Sequence, residues 1–289
     1  MQRILSQPVE FNDGPGKLHV FTTGTVSVKR KFKNAQGGEI SSKLNFMMDK
    51  AFTGELPIWV WLIEHPEGLF LVDTGENAQV SEPHYLDKEN FFLRWMNHSN
   101  FKFTVAPEEE VGPQLNRLGF TTAQINKVVL THMHIDHFDG LRYFEGNEIL
   151  VHDYEWNHQQ FVPTSLYPSW LKPNLFKTGD IQLPGLSTGK ALTKAGDIIM
   201  LPTPGHTLGH CSVLLKTKNA SYLLAGDTTY DEAQLYKNTI PGAHANFKLA
   251  LQSFNNIKTY ARAHQTIYLP SHDPGNIERI LKDGFLKVG

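Results

Sequence analysis

Short apolar runs bounded by turn residues recur along the chain, with helical patterns between them. Residues 18–25, 58–64 and 69–73 read as strands in the first half, and 128–131 and 149–152 follow. The second half repeats the signal at 198–201, 212–215, 222–225 and 266–269. Pro66-Glu67-Gly68, between two of these runs, is a hairpin signal. Residues 107–118 predict a helix, with Pro107 at its start and Gly119 just past its end. Phe247, Leu251, Phe254, Ile257 and Ala261 recur at helical spacing, and residues 276–286 supply a last helix. The mixture predicts an α/β or α+β domain.

Two stretches fit this plan poorly. Residues 40–50 contain Leu44, Phe46, Met47 and Met48 and read as a short helix; residues 90–103 carry Phe91, Phe92, Trp95, Met96, Phe101 and Phe103. Each is either core, a subunit interface or the lining of an apolar pocket. No composition shift marks a linker. Residues 1–289 therefore read as one domain, with an extension or insertion around 30–55 that is a candidate pocket wall.

Composition adds bounds. With 289 residues, 40% hydrophobic and 19% charged, the chain is long enough for a large core without disulfide staples. Cys211 is the only cysteine, which fits a reducing compartment, and it reads as a small buried hydrophobe. The net charge of −2 offers no nucleic-acid footprint; the densest basic run, Lys29-Arg30-Lys31-Phe32-Lys33, reads as a solvated loop or strand end. Met1 to Phe11 lack a signal-peptide core, and no segment approaches the ~20 apolar residues of a membrane span. A cytoplasmic monomer or homodimer, without membrane or nucleic-acid partners, is the expectation.

The apolar run Val128-Val129-Leu130-Thr131 leads directly into His132-Met133-His134-Ile135-Asp136-His137. Side chains alternate faces in extended chain, so His132 and His134 can point the same way, and a turn can bring Asp136 and His137 beside them. Three imidazoles and a carboxylate at a strand end carry a desolvation cost that a metal ion would offset. Three more candidates sit where strands emerge into loops: His206 in Thr203-Pro204-Gly205-His206, Asp227 in Ala225-Gly226-Asp227, and His272 in Leu269-Pro270-Ser271-His272. Nitrogen and carboxylate donors suit zinc, the default, and also iron, cobalt, nickel and manganese.

These motifs resemble the metallo-β-lactamase superfamily, whose signature is His-x-His-x-Asp-His with further ligands in Gly-His and Gly-Asp turns. The resemblance runs from Leu69-Phe70-Leu71-Val72-Asp73-Thr74-Gly75 to Ser271-His272. It implies an α+β fold, a four-layer αββα sandwich, with two divalent metal ions at one edge. It also implies that His132, His134 and His206 hold one ion, that Asp136, His137 and His272 hold the other, and that Asp227 bridges them. Asp73 would support the ligand loops from behind. A hydroxide held between two such ions is a nucleophile near neutral pH.

Asp227-Thr228-Thr229-Tyr230 puts a tyrosine three residues after the bridging aspartate, and the turn Thr203-Pro204-Gly205-His206-Thr207-Leu208-Gly209-His210 accompanies it. Both features are similar to quorum-quenching N-acyl-homoserine lactonases. That resemblance implies a small acyl lactone as substrate, with Tyr230 at the lactone carbonyl and Asp136 as proton shuttle. Another lactone, a thioester or a β-lactam is the alternative substrate on the same fold. Leu44, Met47 and Phe92 are candidates for an acyl groove. Phe138 stands where many lactonases have small residues, and reads as pocket floor or as packing beneath it.

Overall fold

The computed structural model describes residues 4–288, as two β-sheets with helices on their outer faces. The first sheet contains β1 (Ile4–Phe11), β2 (Gly14–Val28), β3 (Leu56–His65), β4 (Gly68–Val72), β5 (Phe101–Thr104), β6 (Lys127–Val129), β7 (Glu148–His152) and β8 (Asn174–Phe176). Its order is β1-β2-β3-β4-β6-β7-β8, with β5 paired to the far end of β2. The second sheet contains β9 (Lys190–Ala191), β10 (Ile198–Pro202), β11 (Cys211–Lys216), β12 (Ser221–Gly226) and β13 (Thr266–Pro270), in the order β13-β12-β11-β10-β9.

The central strands are buried on both faces, which is why the sequence shows continuous apolar runs rather than alternation. Period-two geometry sorts them into separate cores. Trp59, Trp61 and Ile63 of β3 point between the sheets, toward Met200, Val213, Leu224 and Leu269. Val60 and Leu62, on the opposite face of β3, join Val111, Leu115 and Phe138 under the outer helices. On the second sheet Ile199, Leu201, Leu223 and Ala225 face outward onto Phe254 and Ile257. The result is the four-layer αββα sandwich.

The helices in chain order are α1 (Arg30–Lys33), α2 (Glu39–Met47), α3 (Phe91–Asn100), α4 (Val111–Arg117), α5 (Ile135–Phe138), α6 (Asp153–Asn157), α7 (Glu232–Lys237), α8 (Phe247–Ala263) and α9 (Asn276–Leu281). Two differ from the sequence reading, and one stretch that fitted it poorly takes definite form. The expected helix 107–118 is broken: Pro107–Glu109 form one 3₁₀ turn, Glu110 is extended, and α4 starts afresh at Val111. Pro113 accounts for this, because a helix continuing through it would drive its ring into the Glu109 carbonyl. Residues 90–103 resolve into α3, capped by the Asn90 side chain on the Leu93 N–H, followed by β5. The last helix ends at Leu281 rather than 286, with Asp283 in the left-handed region. The strand β1 escaped sequence reading because it is a half-exposed edge strand whose polar residues dilute the apolar pattern.

Strand direction positions the site. Within the first sheet β4, β6 and β7 run parallel. Strands β10 and β12 both run antiparallel to β11, and β12 is parallel to β13, so β10, β12 and β13 point the same way. The carboxyl ends of β6, β10, β12 and β13 meet at one edge of the sandwich. Among the described residues, no helix is long and apolar enough to cross a membrane.

Candidate metal centre

All seven residues singled out by their loop positions converge on that edge. His132 Nε2 lies 3.1 Å from His134 Nδ1, and His206 Nε2 lies 2.8 Å from the same atom. The single turn of α5 swings Asp136 and His137 round to a second cluster. There Asp136 Oδ2 is 3.3 Å from His272 Nε2. Asp227 stands between the clusters: Oδ2 is 3.5 Å from His206 Nε2, while Oδ1 is 3.3 Å from both His137 Nε2 and His272 Nε2. The trios His132/His134/His206 and Asp136/His137/His272 therefore share Asp227 as a common wall.

The donors fit divalent ions. His137 Nδ1 donates to Asp73 at 2.8 Å, so Nε2 is the free end of the ring. That Nε2 and Asp227 Oδ1 are both buried without a hydrogen-bond partner, although they face each other. A cation between them satisfies both. Ligands ~2.0–2.1 Å from a tetrahedral ion stand about 3.3 Å apart, close to the edges of the clusters. The set is all nitrogen and carboxylate oxygen, which suits divalent first-row metals.

Electrostatics point the same way. Burial lowers the pKa of His132 and His206 well below the ordinary value, so their nitrogens offer lone pairs. Burial also works against charge on His137 and His272, but Asp73, Asp227 and Asp136 outweigh it. They hold His137 well above its ordinary range and raise His272 to about 10. Burial pushes the Asp227 carboxyl up, yet His272 and His137 pull it well below the usual range. The carboxylates around these two imidazoles thus favour positive charge at this place.

A surrounding shell fixes the ligands. Asp73, at φ 60°, accepts from the Thr131 N–H at 2.8 Å, the Thr131 hydroxyl at 2.9 Å and His137 Nδ1. These bonds hold its uncommon backbone conformation. His272 Nδ1 donates to the Pro57 carbonyl at 2.9 Å, which turns Nε2 inward. His210, in the same turn as His206, is no donor to either cluster; its Nε2 accepts from the Asp227 N–H at 3.0 Å. Gly205 precedes His206 at φ 148°, and a Cβ there would fall 2.5 Å from Ala250 Cα. Only glycine lets this loop sit on α8.

The sequence profile of the metallo-beta-lactamase superfamily matches residues 53–272. The chain belongs to that superfamily. An N-acyl homoserine lactonase of a Bacillus species is 29% identical over 224 residues, covering 76% of this chain and 82% of that one. Among solved structures, an N-acyl homoserine lactone hydrolase with N-hexanoyl-L-homoserine at its catalytic metal centre superposes with a TM-score of 0.72 at 21% identity, over 90% of this chain and 94% of that one. A dizinc quorum-quenching lactonase superposes with a TM-score of 0.63 at 15% identity, over 95% and 92%.

In this member of the superfamily, a cavity of about 540 Å³ opens onto the metal-site edge. His134, Asp136, His206, Asp227 and His272 form its polar end, with Tyr230 beside them. The Tyr230 ring is buried and stacks on His272, with centroids 5.3 Å apart and planes at 27°. Burial, then Asp227 and Asp136, raise its phenol well above the ordinary pKa, so it remains a hydrogen-bond donor. Most of the remaining wall is apolar, with Lys43, Asn97, Gln160 and Thr207 as the polar exceptions. Met47 and Phe92 lie on it, as do Val26, Val28, Phe32, Phe46, Met96, Phe101 and Phe103.

Two pocket candidates are corrected. Leu44 is 59% exposed and is not a wall residue: Lys43, Phe46 and Met47 form the stripe of α2 that faces the cavity, and Leu44 falls off it. Phe138 is fully buried in the core beneath the outer helices, edge-on to Tyr167, and does not reach the cavity. Sequence reasoning missed Phe32, Gln160, Phe161 and Thr207 at the cavity. Phe32 was legible as the one apolar residue inside the basic run 29–33, and Thr207 as the neighbour of His206 in its turn; nothing in the local sequence marks Gln160 and Phe161.

Proposed function

We propose that this protein is a dinuclear metal hydrolase that opens the lactone ring of N-acyl homoserine lactones, a quorum-quenching carboxylic ester hydrolase. The observation that carries the reading is the juxtaposition of Tyr230, stacked on His272, with paired donor clusters at the end of an apolar cavity. The Bacillus relative named an N-acyl homoserine lactonase supports it, as does the solved fold that holds an acyl-homoserine product.

His132, His134 and His206 would hold one ion, Asp136, His137 and His272 the other, and Asp227 both. Zinc is the preferred metal, in keeping with the donor set and with the dizinc relative. The ions, when bound, supply a nucleophile at neutral pH and polarise the lactone carbonyl. The chain's own groups do the rest. The Tyr230 phenol donates to the carbonyl oxygen as negative charge develops there. The Asp136 carboxylate lies at the cavity wall, 3.3 Å from His272 Nε2. It is the group positioned to carry a proton to the ring oxygen as that oxygen leaves. The apolar wall, including the part contributed by residues 30–55, receives the acyl chain and excludes water from it.

The test is metal analysis combined with a ring-opening assay on acyl-homoserine lactones of several chain lengths, with a thioester and a β-lactam alongside. Two divalent ions per chain are expected, with lactone opening that chelation abolishes and zinc restores. A fully loaded protein that opens no acyl-homoserine lactone but turns over one of the other substrates would replace the reading with that activity.

A further inference from the structure

Helix α6 follows β7 and brings one buried acid beneath the metal edge. Glu155 is 2% exposed. Its Oε1 accepts from the Met133 N–H at 3.0 Å, and its Oε2 accepts from the Thr207 hydroxyl at 2.6 Å. The Gly209 N–H also donates to this carboxylate. Met133 lies between His132 and His134, in the loop that leaves β6 of the first sheet. Thr207 follows His206, in the loop that leaves β10 of the second sheet. No strand of one sheet pairs with a strand of the other. Glu155 thus ties together two ligand loops that arrive on different layers of the sandwich.

The second loop is also pressed onto the helix itself. A Cβ at Gly209 would fall 2.2 Å from the Glu155 backbone nitrogen, so only glycine permits this approach. Glu155 does not line the cavity, and its carboxylate bonds to loop groups beside the metal donors rather than to the donors themselves. Its oxygens are used by loop groups adjacent in sequence to three of them. Burial is its largest cost, and the Thr207, Met133 and Gly209 donors offset part of it.

We propose that Glu155 is a positioning residue that clamps the His132–His134 loop to the His206 loop, and so sets the affinity and coordination geometry of the ion held by the three histidines. The inference rests on the reading that this trio binds a divalent ion. With the clamp in place, three imidazole nitrogens converge before any ion arrives. Without it, the Cys211 N–H to Thr131 carbonyl bond at 2.9 Å still joins the strand ends behind His132, but the Met133 and Thr207 ends of the loops are released and the trio loosens.

The experiment uses the full chain, reconstituted with cobalt(II) and with zinc(II), as wild type, Glu155→Gln, Glu155→Ala and Thr207→Val. Chelator competition reads the metal affinity, and the visible cobalt spectrum at saturation reads coordination geometry. Glu155→Ala is expected to weaken binding of one of the two ions, the one at the histidine trio, by about 10- to 100-fold, the range for groups that orient metal ligands. Its saturated cobalt spectrum should shift, which loss of general stability would not cause. Glu155→Gln and Thr207→Val should each lose part of this, and their combination less than the sum, because both alter the same Thr207 contact. If Glu155→Ala does not fold, the two milder variants decide. Wild-type affinity and an unshifted spectrum in the folded variants, with two ions bound by the wild type, overturn the clamp alone. A wild type that binds no divalent ion overturns both the clamp and the proposed function.

Discussion

Replacing Tyr230 by Phe separates the phenol from everything else at the site. The ring that stacks on His272 stays, and the residue is only 4% exposed, so packing and the metal cluster are retained. The backbone N–H of residue 230 keeps its bond to Gln234 Oε1 at 2.7 Å. What disappears is one donor to a developing oxyanion. A hydrogen bond to a charged group is worth about 1.5–3 kcal/mol, which corresponds to about 10- to 150-fold in kcat. A lone oxyanion-hole donor can cost about 10²–10³-fold, but in the proposed mechanism the carbonyl oxygen would also face the metal ions, so the lower range applies. The effect should fall on kcat more than on KM, because the charge exists in the transition state and not in the substrate. Proton release on ring opening, followed with a pH indicator, measures both constants, with metal content determined on the same sample. A kcat within twofold of wild type at full metal loading would remove Tyr230 from the mechanism. A loss that tracks lost metal would assign the residue to supporting His272 instead.

Gly205→Ala should cost about 2–5 kcal/mol from backbone strain and the clash with α8, and should reduce metal retention through His206; denaturant melts that match wild type would refute the crowding argument. For the acyl chain, each added methylene buried on the apolar wall is worth about 0.8 kcal/mol, or about fourfold in kcat/KM, until the cavity is filled. A flat series from short to long chains would argue that the tail lies elsewhere, and Phe46→Trp should shorten the preferred chain. His19 gives a pH test away from the metals. It is buried between Ser6 Oγ and Glu64 Oε1, near Lys17, and burial, only partly opposed by Glu64, lowers its pKa. Stability from a neutral buried imidazole is present above its unfolded pKa of about 6.5 and is lost as pH falls through the lower folded value. From pH 7.5 to 5, the wild type should therefore lose stability relative to His19→Gln in urea melts, and a difference independent of pH would contradict the sign.

Much of the candidate site was legible because its donors are local in sequence. His132 to His137 crowd four metal-competent groups into six residues at the end of an apolar run, and few other arrangements offset that desolvation. The loop positions of His206, Asp227 and His272 could be read from the strands before them. The cavity wall was less legible. Phe32 lay hidden in a basic run, and Leu44 and Phe92 carry the same apolar signal although only Phe92 reaches the wall. The break before α4 needed a proline's effect on the residue four positions earlier, which periodicity alone does not register.

The chain's own order determines which residues can bind metal and that they stand at strand ends, because side-chain chemistry and the apolar period are properties of neighbours in sequence. Which of them share an ion is decided only in the folded molecule. Asp227 joins the two trios because β12 delivers it beside the ends of β6, β10 and β13. Glu155 ties two ligand loops because α6 lies beneath both sheets' edges at once. These contacts link positions tens of residues apart, and no local pattern encodes them. They arise from strand order and direction, which set what meets at the metal edge.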